Sequence, residues 1–129
     1  RGASRVHYCE RDPRNISLIR KNAEKLGVSA NIELTRGSAP QVFDRISKQF
    51  DLIFMDPPFP DDNMEALLKS VFDRKLLSKN GLITIQRFRG SKDIEAGPFE
   101  LLRKHRVGDS MLWFFEYPLA LKEERSVTT

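Results

Sequence analysis

The sequence predicts an α/β domain whose mostly parallel sheet ends in an antiparallel hairpin. Three observations lead there. Short apolar runs alternate with segments of helical period. The most apolar run, Phe50 to Met55 (FDLIFM), has no polar interruption from Leu52 to Met55, as expected of a central strand buried on both faces. Near the end, Leu101 to Val107 and Met111 to Tyr117 flank Gly108-Asp109-Ser110, a turn joining two antiparallel strands.

Taken in order, Arg5 to Glu10 reads as a strand. Asp12 then caps a helix that Pro13 opens, because proline lacks only an amide that the first helical turn leaves unpaired. Ile16, Ile19, Ala23 and Leu26 recur at helical spacing, and Gly27 ends the segment. Asn31 to Thr35 is a second strand, and Pro40 opens a short helix carrying Val42, Phe43 and Ile46. After the Phe50 strand, Asp61 and Asp62 cap a helix with Met64, Leu67, Leu68, Val71 and Phe72 on one face. Asn80-Gly81 reads as a turn before the strand Leu82 to Gln86. One domain is expected over residues 1–121, with 122–129 as a tail.

Composition narrows the function classes. The 129 residues hold 22 Lys and Arg against 18 Asp and Glu, a net charge of +4, which favours a polyanionic partner. No apolar run is long enough to span a membrane. The single cysteine, Cys9, excludes a disulfide framework within one chain and reads as a small buried residue. A cytoplasmic protein is the expectation. His7 and His105 have no metal-ligand spacing, so no metal site is expected. Trp113, Phe114 and Phe115 read as hairpin core.

The segment that carries chemistry is Asp56-Pro57-Pro58-Phe59. It follows an apolar strand directly, and ligands of open α/β sheets bind at the carboxyl ends of strands. An exocyclic amine of a base is a poor nucleophile, because its lone pair is delocalised into the ring. Two acceptors aimed at its hydrogens localise that pair. The Asp56 carboxylate supplies one and the Pro57 carbonyl the second, stiffened by Pro58. Phe59 offers a flat face for a flipped base. Arg87, Arg89 and Lys92 follow a strand at the same sheet end and are candidate phosphate contacts, to which Arg103 to Arg106 could add.

This segment resembles the Asp/Asn-Pro-Pro-Tyr/Phe motif of amino-methyltransferases that use S-adenosylmethionine (SAM). Within them the chain is most similar to bacterial 16S rRNA guanine-N2 methyltransferases of the RsmD type. The likeness covers Arg1-Gly2-Ala3, Glu10-Arg11-Asp12, Leu18 to Asn22, FDLIFMDPPF and the turn Arg106-Val107-Gly108-Asp109. It implies a Rossmann-like methyltransferase fold, SAM as cofactor, and rRNA or a small-subunit assembly particle as partner. Asp56, Pro57 and Phe59 would be catalytic, and Pro58, Phe59, Arg87 and Arg89 would touch substrate. Glu10, beside Arg11, would accept hydrogen bonds from the SAM ribose. The turn Arg36-Gly37-Ser38-Ala39 falls where the family usually has Gly-Asp-Ala, so Ser38 and Ala39 would meet the adenine, with a hydroxyl in place of a carboxylate. Asp56 would also border the cofactor. The same tetrapeptide serves DNA adenine-N6 and protein-amide methyltransferases, and an inactive binding module is a third reading. The family's Gly-rich loop has no counterpart here. A strand, loop and helix are expected to be missing ahead of Arg1, leaving two strand edges unpaired.

Overall fold

A computed structural model describes residues 5–37, 41–56 and 64–122. The chain divides into two compact units, residues 1–46 and 47–129.

In the first unit, β1 (Val6–Glu10) and β2 (Ile32–Arg36) pair in parallel from Val6↔Ile32 to Glu10↔Arg36. Parallel neighbours need a crossover, and α1 (Pro13–Leu26) supplies it. Asp12 starts this helix as the sequence predicts. It has extended backbone, and its Oδ1 accepts the Arg14 amide at 2.9 Å. Gly27 ends the helix in the left-handed region, and the Val28 amide donates to the Ala23 carbonyl. The short helix expected here is a 3-10 helix, Gln41–Arg45, that buries Val42 and Phe43 and ends before Ile46, while Pro40, like the expected caps Asp61 and Asp62, lies outside the described residues. Cys9 is exposed rather than buried, because β1 has no neighbour but β2 among the described residues.

In the second unit, β3 (Phe50–Met55), β4 (Leu77–Phe88), β5 (Glu100–Val107) and β6 (Ser110–Glu116) form a sheet in the order β3-β4-β6-β5. β3 and β4 are parallel, while β4 with β6 and β5 with β6 are antiparallel. The hairpin turns at Gly108-Asp109, where the sequence puts it. One sheet face is core: Ile83, Ile85, Trp113 and Phe115 are buried there. α2 (Met64–Asp73) buries Met64, Leu68 and Val71, the helical face read from the sequence. Phe72, Phe99 and Tyr117 form an aromatic trio with centroids 5.2 to 6.0 Å apart. The Tyr117 hydroxyl donates to the Leu77 carbonyl at 2.8 Å.

Two expectations are corrected. Asn80-Gly81 is not a turn between elements: β4 runs through it, and the β3–β4 register jumps from Phe50↔Leu77 to Leu52↔Leu82. A Cβ on Gly81 would meet Leu77 Cδ1 at 2.5 Å and the Ser78 carbonyl at 3.0 Å, so only glycine lets the strand fold this closely on itself. Nor is β3 buried on both faces. Leu52 and Phe54 are 63% and 57% exposed, because β3 is the sheet's edge among the described residues. Among the described residues the outer edges of β1 and β3 have no strand partner. No helix among the described residues is long and apolar enough to cross a membrane.

Replacing Tyr117 with Phe is expected to lower stability by about 1 kcal/mol, through one lost buried hydrogen bond, read as a lower denaturant midpoint at unchanged m-value. A second expectation concerns pH. The Arg14 side chain, and then its amide, hold the Asp12 carboxyl below the usual range. A depressed folded value contributes stability above the unfolded value of about 3.9, lost as pH falls through the folded one. Between about pH 5 and pH 2, the melting temperature of the protein should therefore fall more than that of Asp12→Asn, which keeps the cap without titrating.

Candidate active site

In each unit, taken by itself, predicted side chains lie at the carboxyl ends of parallel strands: Glu10 and Arg11 at β1, Asp56 at β3, Arg87 and Arg89 at β4. Asp56 follows β3 directly and is exposed. Strand alternation separates Ile53 and Met55, which register with the buried Ile83 and Ile85, from Leu52 and Phe54. Continued by one residue, it puts Asp56 on the Leu52 and Phe54 side. One step past the Met55↔Ile85 pair, Asp56 comes level with Gln86. Gln86 is half-buried, and its amide donates to Ser110 Oγ at 3.4 Å. Pro57, Pro58 and Phe59 lie outside the described residues, as do Ser38 and Ala39.

Arg87 and Arg89 sit at the same end of the sheet but differ in kind. Arg87 is buried, 8% exposed, and its Nη1 donates to the Lys92 carbonyl at 3.0 Å. It registers with Met111 on the core face of the sheet, so it ties down the segment after β4 rather than meeting a phosphate. This departs from the sequence expectation. An arginine beside a strand end looks solvated until pairing fixes its face. Arg89 is exposed, with its guanidinium Nε 3.9 Å from the Asp109 carboxylate, and remains open to an anion. On the outer strand, Arg103 lies 4.7 Å over the Phe114 ring and Lys104 4.3 Å over Trp113. The two cations therefore stand on opposite faces of the hairpin. Trp113 and Phe115 are core as expected, whereas Phe114 is only half-buried.

The sequence reading passed over Phe88. It is the last residue of β4 and 64% exposed. Its signal in the sequence was an aromatic between Arg87 and Arg89, where a strand should be giving way to a loop.

In the first unit, Glu10 ends β1 and is half-buried. Its Oε1 accepts the amides of Arg11 and Asp12, both at 3.1 Å. Those bonds hold the carboxylate against the β1–α1 turn. Its Oε2 has no hydrogen bond to a described residue, which suits a ligand hydroxyl. The Glu10 carbonyl accepts the Gly37 amide at 3.0 Å, so the ends of β1 and β2 are tied together. Arg11, next to Glu10, is exposed. Among the described residues no three His, Cys, Asp or Glu side chains are placed to hold a metal ion.

Comparison with known proteins extends this picture. A family model described as "Conserved hypothetical protein 95" matches residues 1–116. The "Probable cobalt-precorrin-6B C(15)-methyltransferase (decarboxylating)" of Saccharolobus solfataricus is 42% identical over 83 residues, 64% of this chain and 40% of that protein. The "Putative rRNA methyltransferase YlbH" of Bacillus subtilis is 25% identical over 112 residues, 84% of this chain and 61% of that protein. The chain thus spans two fifths to three fifths of the length of these curated relatives. Among solved structures, a conserved hypothetical protein of Streptococcus pyogenes superposes with a TM-score of 0.84 at 19% identity, over 92% of this chain and 74% of that one. The SAH-bound methyltransferase PaMTH1 of Podospora anserina gives 0.68 at 20% identity, over 88% and 61%. Likeness at such identities shows the fold: a Rossmann-like methyltransferase α/β fold.

Replacing Arg87 with Met, which keeps the buried stem and removes the guanidinium, is expected to remove the bond that Arg87 donates to the Lys92 carbonyl. Stability should fall by about 1 to 3 kcal/mol, seen in denaturant unfolding, with faster amide exchange across residues 88–95.

Proposed function

The chain belongs to the family described as conserved hypothetical protein 95, and from that premise we propose that it is a SAM-dependent methyltransferase acting on the exocyclic N2 amine of a guanine in 16S rRNA. The observation that carries the reading is Asp56, an exposed carboxylate at the carboxyl end of β3, followed by Pro57-Pro58-Phe59. Here Asp56 accepts one amine hydrogen and the Pro57 carbonyl the other, which localises the nitrogen lone pair. Phe59 stacks the flipped guanine. The proton that the nitrogen gives up passes to the Asp56 carboxylate and then to water, to which Asp56 is open. Bound SAM supplies an electrophilic methyl group, and the rest is alignment of the amine with it. Glu10 fits the ribose end of that cofactor: one oxygen is fixed by two backbone amides while the other can accept a hydroxyl. Ser38 and Ala39 would border the adenine. Arg89 takes the phosphate role.

The relative that shares 42% identity is described as acting on a corrin precursor, at a carbon. A carbon acceptor has no amine hydrogens and gives Asp56 and the Pro57 carbonyl nothing to hold. That is why the amine reading is preferred.

Tritium transfer from labelled SAM tests it against four acceptors: unmodified 16S rRNA, small-subunit particles, duplex DNA and a cobalt-precorrin. Label is expected in guanine N2 of the RNA or the particle. Asp56→Ala is expected to lower transfer about a hundredfold or more, the scale of losing alignment at the reacting atom. Equal transfer by the variant, or label only in DNA or the corrin, overturns the reading.

A further inference from the structure

We propose that Phe88 is a nucleobase-stacking wall beside Asp56, taking an unstacked base adjacent to the target nucleotide, with Gly90 setting the pose of its ring. The inference rests on the nucleic-acid reading above and adds a residue to that site.

Four observations support it. The first is place. Phe88 lies on β4 three residues beyond Ile85, and Asp56 lies on β3 one residue beyond Met55, the partner of Ile85. Thr84, Gln86 and Phe88 alternate onto the sheet face that carries Phe54 and Asp56. With a strand rise of ~3.3 Å and a spacing of ~4.8 Å, the two Cα atoms are about 8 Å apart. That is one base beyond the amine-gripping point.

The second is exposure. Phe88 is 64% exposed, whereas the aromatic residues of the core trio and Phe115 pack inside the same unit. Leu52 and Phe54 on the same face are also exposed, but Phe88 alone of the three ends its strand, at the sheet end where ligands of open α/β sheets bind, and a base stacked on it would take apolar surface out of water.

The third is rigidity. The backbone of Phe88 pairs with Ser110 in the ladder, its carbonyl accepts the Ser91 amide at 2.9 Å, and the next amide, of Arg89, donates to the Asp109 carbonyl at 2.8 Å. A Cβ built on Gly90 would meet Phe88 Cε1 at 2.8 Å and Cδ1 at 3.4 Å. The ring therefore lies against the bare α-carbon of Gly90, on a backbone held by these bonds, so a side chain at position 90 would displace it. Stacking on a fixed ring loses little conformational freedom.

The fourth is charge. Arg89 is the next residue and is exposed, so an aromatic for a base and a guanidinium for a phosphate sit side by side. That combination is how single-stranded nucleic acid is held without reading its sequence.

The test uses the protein with a single-stranded RNA carrying fluorescent 2-aminopurine next to a guanine, alongside tritium transfer to 16S rRNA. The intact protein is expected to quench the probe. Phe88→Ala should abolish the quench and raise the RNA KM about tenfold, equivalent to ~1.4 kcal/mol, while the KM for SAM and the melting temperature stay put. Phe88→Tyr should behave as the parent. Gly90→Ala, whose methyl displaces the ring but not the fold, should weaken both readouts. Unchanged quench and RNA KM in Phe88→Ala overturn the proposal. So does a drop in melting temperature with RNA KM unchanged, which would mean that the ring is covered by protein. If quenching depends on Phe88 but no label reaches RNA, the stacking wall stands and the guanine-N2 assignment fails.

Discussion

The parallel pairing of β3 with β4 is the constraint on which the candidate site depends. It runs from Leu52↔Leu82 to Met55↔Ile85 and puts Ile53, Met55, Ile83 and Ile85 on one face. A slip of one residue would turn Leu52, Phe54 and Asp56 into the core and Ile53 and Met55 out of it. The buried Ile83 and Ile85 make that slip costly, so the apolar pattern also fixes the direction of the carboxylate. The three extra residues of β4 between Leu77 and Leu82, accommodated at Gly81, are absorbed before the functional end and leave the register there regular.

The sequence showed most clearly the features that arise within one element. Asp12, Pro13 and Gly27 marked the ends of α1 because capping involves only the nearest turn of backbone. The buried face of α2 followed from spacing, and the hairpin from Gly108-Asp109. Features decided by a neighbouring strand were illegible. Leu52 and Phe54 look like core until β3 is seen to pair on one side only. The burial of Arg87 and the exposure of Phe88 follow from a β4 that runs two residues past Gln86, so that alternation places each side chain. At the candidate site, the position of Asp56 at a strand end was legible from the apolar run before it. The hold of two amides on Glu10 was not, since it depends on the conformation of the β1–α1 turn.

Fold and substrate rest on different grounds here. The fold is shared with the SAH-bound methyltransferase PaMTH1 at 20% identity, too little to carry a substrate across. The curated relatives diverge in what their descriptions say they act on, a corrin in one and rRNA in the other. A common scaffold can host both, because one fold carries many functions and ligands of open α/β sheets bind beyond the carboxyl ends of the strands. Asp56, Phe88 and Arg89 are all rim residues, and none is part of the core that the fold requires.

The two edges of the four-stranded sheet are built for different neighbours. β5 is exposed along its whole length and carries Arg103, Lys104 and Arg106, with two of these cations folded over aromatic rings. Charged side chains on an edge strand discourage another strand from adding there. β3 has no such device: within it Asp51 is the only charge, engaged by the Ser78 hydroxyl at 2.7 Å, and Leu52 and Phe54 stand in solvent. An apolar edge strand with open amides and carbonyls has the character of a strand that pairs on both sides. A strand paired along that edge would wall the side of Asp56 away from β4.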